Sequence, residues 1–176
     1  MQQGLSIKAR AVALLSRREH SRLELARKLA PHAEDPQALE TLLDDLIREG
    51  WLSDERFAQS LLHRRAPTRG TARIVNELRQ SGVPDGAISQ ARDTLSETEF
   101  ERAREVWKKK FGSSLSRPSG GSQARESDPS RPSGPADRAA YAKQARFLAG
   151  RGFGHDVIAR VLGGRLDDHD DAFPHE

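Results

Sequence analysis

The groups with which this chain could do acid, base or metal chemistry are six histidines and 26 aspartates and glutamates; it has no cysteine. His20, His32, His63, His155, His169 and His175 are scattered. None falls in a His-Glu-x-x-His zinc pattern, and no glycine-rich phosphate loop of Walker or Rossmann form occurs. Asp44-Asp45 and Asp54-Glu55 are adjacent carboxylates. Neighbours in a helix point apart, so they make poor acid/base pairs. His169 sits among Asp167, Asp168, Asp170 and Asp171, but a metal site needs fixed ligand geometry that such a run does not supply. The reading is no catalytic residue, no metal and no cofactor. Without thiols there is no disulfide framework, and the chain fits a reducing compartment.

Cations give the stronger signal. Arg17, Arg18, Arg22, Arg27 and Lys28 form one cluster, and Arg64, Arg65, Arg69, Arg73 and Arg79 a second. Lys108, Lys109, Lys110, Lys143, Arg146 and Arg151 form a third. The clusters recur in one form, two apolar residues and then basic ones, at Leu14-Leu15-Ser16-Arg17-Arg18, Leu61-Leu62-His63-Arg64-Arg65 and Val106-Trp107-Lys108-Lys109-Lys110. If they share a side, they form a stripe that can follow a phosphate backbone or an acidic protein groove. Aromatic residues are only 5% of the chain, which gives little basis for base-specific readout. All 29 Lys and Arg lie at or before Arg165, against 21 of the 26 acids, so that body carries +8 and the segment after it −5. A basic body suggests a polyanionic or acidic partner. The acidic run reads as a solubilising tail that could also fold over the basic face.

Helices must position these clusters. Apolar spacing predicts a helix from Leu5 to near His20. Ser21-Arg22-Leu23-Glu24 is a capping-box pattern that opens a second, stopped by Pro31. Asp35-Pro36 opens a third, with Leu39, Leu42, Leu43, Leu46 and Ile47 as its stripe up to Gly50. Ser53-Asp54 caps the next. Further helices are expected up to Pro67, from Ile74 to Gly82, and from Pro84-Asp85 through Leu95. Thr98-Glu99-Phe100-Glu101 reads as another capping box, opening a separate helix to Gly112. Two more are expected, from Asp137 to Gly150 and through Val157, Ile158, Val161 and Leu162. Trp51, Leu52 and Phe57 flank a tight connection and are assigned to the core between modules.

Leu78, Gly82, Val83, Ile88 and Ala91 each have a counterpart 70 positions later, in Leu148, Gly152, Phe153, Ile158 and Val161. The predicted fold is all-α, an elongated tandem array of three-helix modules at 1–52, 53–96 and 97–164. The third is interrupted at 112–137 by a Ser/Pro/Gly-rich insert expected to be disordered, and 165–176 form an acidic disordered tail. Modules this small bury little apolar surface alone and would share cores with their neighbours. No apolar run approaches the ~20 residues of a membrane span, and no signal-peptide pattern opens the chain, so a soluble cytoplasmic protein is expected.

The stretches Arg17-Arg18-Glu19-His20-Ser21-Arg22-Leu23-Glu24-Leu25 and Leu46-Ile47-Arg48-Glu49-Gly50-Trp51-Leu52-Ser53-Asp54-Glu55-Arg56-Phe57-Ala58 resemble the RecX family. So do Arg69-Gly70, Arg73-Ile74 and Glu77-Leu78-Arg79. The resemblance covers about residues 5–164 apart from the insert, and the Asp-x-Arg-Phe-Ala element is its most specific part. It implies a row of three-helix repeats and a non-enzymatic regulator that binds the RecA–single-stranded DNA filament. Such a regulator inhibits RecA in recombination, DNA repair and the SOS response. Direct contact with single-stranded DNA and a monomeric state are further expectations. The insert and the acidic tail depart from the family pattern. Charge and repeat position select Arg17, Arg18, Arg22, Arg64, Arg65, Arg69, Arg73, Lys108, Lys109 and Lys110 as partner contacts. The alternatives are a stand-alone nucleic-acid-binding helical module and a helical adaptor for another protein.

Overall fold

The computed structural model describes residues 6–115 and 135–163. Among them are eight α-helices and no strand: α1 (Ile7–Leu15), α2 (Arg22–Leu29), α3 (Pro36–Arg48), α4 (Asp54–Arg65), α5 (Thr71–Gln80), α6 (Asp85–Leu115), α7 (Pro135–Ala149) and α8 (His155–Gly163). A 3-10 turn, Ala30–His32, follows α2. The insert expected at 112–137 is shorter than the sequence suggested: 112–115 are the end of α6 and 135–137 the start of α7, while 116–134 and the acidic segment lie outside the described residues. The chain divides into two compact units. One comprises Met1–Arg65 with Ile74–Thr94, the other Ala66–Arg73 with Leu95–Glu176.

In the first unit, helix starts are set by side-chain caps. Ser6 Oγ accepts from the Ala9 amide, Ser21 Oγ from Glu24, and Asp35 from Gln37 and Ala38. Ser53 Oγ accepts from Arg56. Each cap is worth about 1 kcal/mol. Glu24 does not close the box at Ser21; its carboxylate is taken by Arg18 and His20 instead. α1 is shorter than expected, because the Ser16 hydroxyl donates to the Ala13 carbonyl and the helix ends there. Arg17 and Arg18 therefore lie in the connection to α2. Ala11, Leu25, Leu29, Leu39, Leu43, Leu46 and Leu52 form the core under α1, α2 and α3. Phe57, Leu61, Ile74, Val75, Leu78, Val83 and Ile88 are buried on α4, α5, the turn after α5 and the start of α6. Two ties hold α2: Ser21 Oγ donates to the Ser81 carbonyl, and Asp54 accepts from the Arg22 amide.

The repeat is visible in the turns. Gly82 and Gly152 have φ of +73° and +84°, the left-handed conformation that ends many helices. The next amide reaches back six residues inclusive, Val83 to the Leu78 carbonyl and Phe153 to Leu148. Both partners of each apolar pair are buried. Gly50 (φ +77°) starts the same turn, but there the amide of Leu52, one residue later, closes it onto Leu46. Trp51 is that extra residue. It is 52% exposed, while Leu52 and Phe57 are 2% and 1%. Trp51 is thus not a core residue, contrary to the sequence expectation; the longer turn pushes it outward and seats Leu52 instead.

A second correction concerns residues 96–98, where two helices are expected. They are one, α6. No glycine or proline interrupts Ser96-Glu97-Thr98, and the Thr98 hydroxyl accepts from Arg102 Nε rather than capping an amide. Ile88, Ala91, Leu95, Glu99, Ala103 and Trp107 form one buried stripe. At mostly four-residue spacing it rotates about the helix by roughly 100° along its length. In the second unit, Ala103 and Trp107 meet Leu148 on α7, Phe153 in the turn, and Val157, Ile158, Val161 and Leu162 on α8.

Candidate functional site

Glu99 and Arg102, one turn apart on α6, build the second unit's framework. Glu99 Oε1 accepts from the Thr71 amide at the start of α5 (3.0 Å) and from the Gly154 amide before α8 (3.4 Å). The guanidinium of Arg102 donates to the carbonyls of Ala66, Arg69 and Leu95. Burial lowers its pKa, though it stays a cation at any ordinary pH. Together they fix the Ala66–Thr71 loop. That loop crosses the α7–α8 turn: the Gly70 amide donates to the Arg151 carbonyl and Ala72 to Gly152. A Cβ at Gly70 would lie 2.2 Å from the backbone of Gly152 and Phe153, so only glycine fits.

These supports frame an open groove of about 760 Å³, lined by Pro67, Thr68, Glu105, Val106, Lys108, Lys109, Lys110, Phe147 and Arg151. The three lysines are exposed. The Arg151 guanidinium stacks 3.7 Å from the centroid of the Phe147 ring. Phe147 meets Phe111 edge-on at 5.1 Å, and Phe111 lies 6.5 Å from Trp107. The Trp107 indole N–H donates to Gln144. The groove therefore combines four cations, one carboxylate and one ring, that of Phe147, over which Arg151 lies. It can hold an anionic chain.

Among the sequence-selected contacts, Lys108, Lys109 and Lys110 come together here. Arg69 and Arg73 belong to the same unit but do not line the groove. The Arg69 carbonyl accepts from Arg102, and Arg73 Nη1 donates to the Gly150 carbonyl. In the first unit, Arg22 bonds Glu40 and Asp44 at 2.8 Å each, and these bonds raise its pKa. Arg18 pairs with Glu24, and Arg65 with Glu77, both at 2.9 Å. Arg17 and Arg64 are exposed, and Arg64 Nε donates to the Ser60 carbonyl of its own helix. The sequence reading includes Arg151 in the third cluster but gives Phe147 no role. Phe147 is in the last turn of α7 and Arg151 in the turn that follows it; their four-residue spacing was the available sign. Among the described residues no acid/histidine cluster could hold a metal, and no helix is long and apolar enough to cross a membrane.

The regulatory protein RecX of Ralstonia nicotianae is 46% identical over 172 residues, 96% of each chain. The chain belongs to the RecX family. The RecX of Leptothrix cholodnii is also 46% identical, over 94% of this chain and 92% of its own. The family's second three-helix domain matches residues 53–91, and its third matches residues 130–162. A crystal structure of RecX from Lactobacillus salivarius superposes with a TM-score of 0.69, covering 92% of this chain and 94% of that one. At 18% identity it speaks for the fold alone. The all-α tandem arrangement read from the sequence is thus the family's arrangement, and this is a family of regulatory proteins rather than enzymes.

Proposed function

We propose that this RecX-family chain regulates RecA by binding the RecA–single-stranded DNA filament and inhibiting its activity in recombination, DNA repair and the SOS response. The observation that carries the reading is near-full-length similarity to regulatory proteins named RecX. The partition into modules at 1–52, 53–96 and 97–164, a monomeric state and a cytoplasmic location belong to the same proposal.

The proposed contacts are Arg17, Arg18, Arg22, Arg64, Arg65, Arg69, Arg73, Lys108, Lys109 and Lys110, joined by Arg151 and Phe147. The lysines and Arg151 face single-stranded DNA within the filament, with Arg151 held over the Phe147 ring. A cation already held by a carboxylate must give up that partner to bind phosphate, so Arg22 and Arg65 contribute least. The test is RecA-dependent ATP hydrolysis and strand exchange on single-stranded DNA. Inhibition well below one chain per RecA is expected. No effect at saturating chain would remove the reading, and tight, salt-steep binding to naked DNA without it would favour a stand-alone nucleic-acid-binding module.

A further inference from the structure

The first unit has an open recess of about 320 Å³ at the turn between α3 and α4. Ile47, Leu52 and Pro84 give it apolar walls, and Arg22, Asp54, Glu55 and Arg56 its charges. Both cations are already met. Arg22 bonds Glu40 and Asp44, and Arg56 bonds Glu19 through Nε and the Trp51 carbonyl through Nη2. The carboxylates are not. Asp54 accepts from the Arg22 amide and Glu55 from the Ser53 hydroxyl. Among the described residues neither forms an ion pair. The recess therefore presents negative charge beside apolar surface.

Two large apolar side chains, Ile47 and Trp51, stand exposed at this place. Ile47 lines the recess, as do Gly50 and Leu52 on either side of Trp51. The fold does not use the indole: the turn closes through the Leu52 amide, and the Leu52 side chain fills the core. The Trp51 backbone is nevertheless pinned, by that amide bond after it and by Arg56 at its carbonyl. An exposed ring on a fixed backbone gives large contact area at little entropic cost, as tryptophans at protein interfaces do. Adjacent exposed apolar side chains mark interaction surfaces. Nucleic acid would bring phosphate against Asp54 and Glu55, and like charges repel. A cation on an aliphatic stem suits both halves of the site, its stem along the apolar wall and its head at the carboxylates.

We propose that this recess is a docking site for a protein segment in which a lysine or arginine stands beside an aliphatic side chain. The cation meets Asp54 and Glu55, and the aliphatic group packs on Ile47 and the Trp51 ring. The site does not depend on RecA. Its consequence rests on the function proposed above: this face meets the protein of the filament, and the lysine groove of the second unit meets the DNA.

The probe is acetyl-Leu-Lys-Leu-amide, added at millimolar concentration to the full chain and followed by amide and indole N–H resonances. Shifts are expected at the Trp51 indole, Ile47, Asp54 and Glu55, and they should shrink at about 0.5 M salt. Acetyl-Leu-Glu-Leu-amide should produce none. Trp51→Ala, and Asp54→Asn with Glu55→Gln, should each weaken the lysine peptide on the order of ten-fold. The asparagine and glutamine keep the oxygens that accept from Arg22 and Ser53. The same variants should need about ten-fold more chain for half-inhibition of RecA ATP hydrolysis. Their affinity for oligothymidylate should stay within about two-fold. No shift with the lysine peptide, or equal shifts with the glutamate peptide, would overturn the proposal. So would an oligothymidylate shift of the Trp51 indole, which would make the ring a base-stacking surface. Broadening of these resonances with chain concentration would assign the face to a second copy and overturn it as well. Peptide shifts without any RecA inhibition would sink the function and keep the site; inhibition untouched by Trp51→Ala, with no peptide shifts, would do the reverse.

Discussion

The two units hold their arginines differently. In the first, five guanidiniums meet carboxylates, Arg18 with Glu24, Arg22 with Glu40 and Asp44, Arg48 with Asp45, Arg56 with Glu19, and Arg65 with Glu77, while Arg64 meets the Ser60 carbonyl. In the second, Arg102 meets carbonyls, Arg73 donates to the Gly150 carbonyl, and Arg151 and Arg160 lie over the rings of Phe147 and Phe100. A carboxylate cancels the charge it orients, whereas a carbonyl or a ring orients the cation and leaves its charge in place. Identical residue types therefore have their charge met by a carboxylate at these positions of one unit and left in place at these positions of the other. Counting lysines and arginines along the chain cannot reveal that difference.

The largest effect should come from the loop crossing that frames the groove. Gly70→Ala sets a Cβ 2.2 Å from three backbone atoms, none of which is the movable end of a side chain. It should cost about 4 kcal/mol or more, the exceptional end of single substitutions. Gly50→Ala meets nothing within 4 Å and should cost about 1 kcal/mol for its positive φ. Urea titrations followed by far-ultraviolet circular dichroism, which reports the helices of both units, measure both. Equal midpoints would mean that the crossing is not rigid.

The next test weighs the two kinds of carboxylate. Glu99 is 9% exposed and serves two backbone amides, so Glu99→Ala leaves buried donors unmet and should cost about 3 kcal/mol. Asp44 is an exposed partner of Arg22, and Asp44→Ala should cost at most ~1 kcal/mol. The same urea experiment decides, and a small Glu99 effect would remove it as an anchor.

Much of the fold was legible because caps and apolar periodicity are local. Ser21, Asp35 and Ser53 cap the helices that their positions predict, and the 70-residue repeat marks two turns of the same geometry. The errors arise where a residue serves a distant segment. Glu99 sits in a capping-box pattern, yet its carboxylate reaches amides 28 and 55 residues away. Ser16 ends α1 early through one hydroxyl. At the candidate site the lysines were legible as a run, but Arg151 and Phe147 join them only through tertiary packing. Whether an arginine is balanced by Glu77 or by a carbonyl is likewise decided far along the chain.

Binding should separate the units by salt dependence. Replacing Lys108, Lys109 and Lys110 with alanine should flatten the log–log salt slope for single-stranded DNA by roughly 2, at about 0.7 per lost contact. Arg22→Ala should change affinity less than about two-fold, because its charge is already met. Fluorescence anisotropy over a salt series distinguishes them. Equal slopes would show that exposure in the groove does not select the contacts.

A smaller effect concerns pH. His20 is 3% exposed, and its pKa is lowered by burial first and by Arg18 next, against the pull of Glu24. The unfolded chain then binds the proton more readily, so stability is full above the ordinary histidine value of about 6.5 and falls as pH drops below it. Thermal unfolding between pH 7.5 and 5.5 should show the first unit losing stability with acid, and His20→Gln should reduce that loss. An unchanged slope in the variant would place the proton elsewhere.

The smallest effect is expected at the residue that looks most like an anchor. Trp51 follows Gly50 as Phe153 follows Gly152, but the two positions have opposite environments, 52% against 5% exposed. Phe153→Ala should cost about 3–5 kcal/mol, as removal of a buried ring does. Trp51→Ala should stay within about 0.5 kcal/mol, while Leu52→Ala, which empties the position closing the longer turn, should cost about 2–5 kcal/mol. If Trp51→Ala instead lowered the melting temperature as far as Leu52→Ala, the turn would close on Trp51. Its geometry would then match the turns at Gly82 and Gly152, and the extra residue would lie elsewhere.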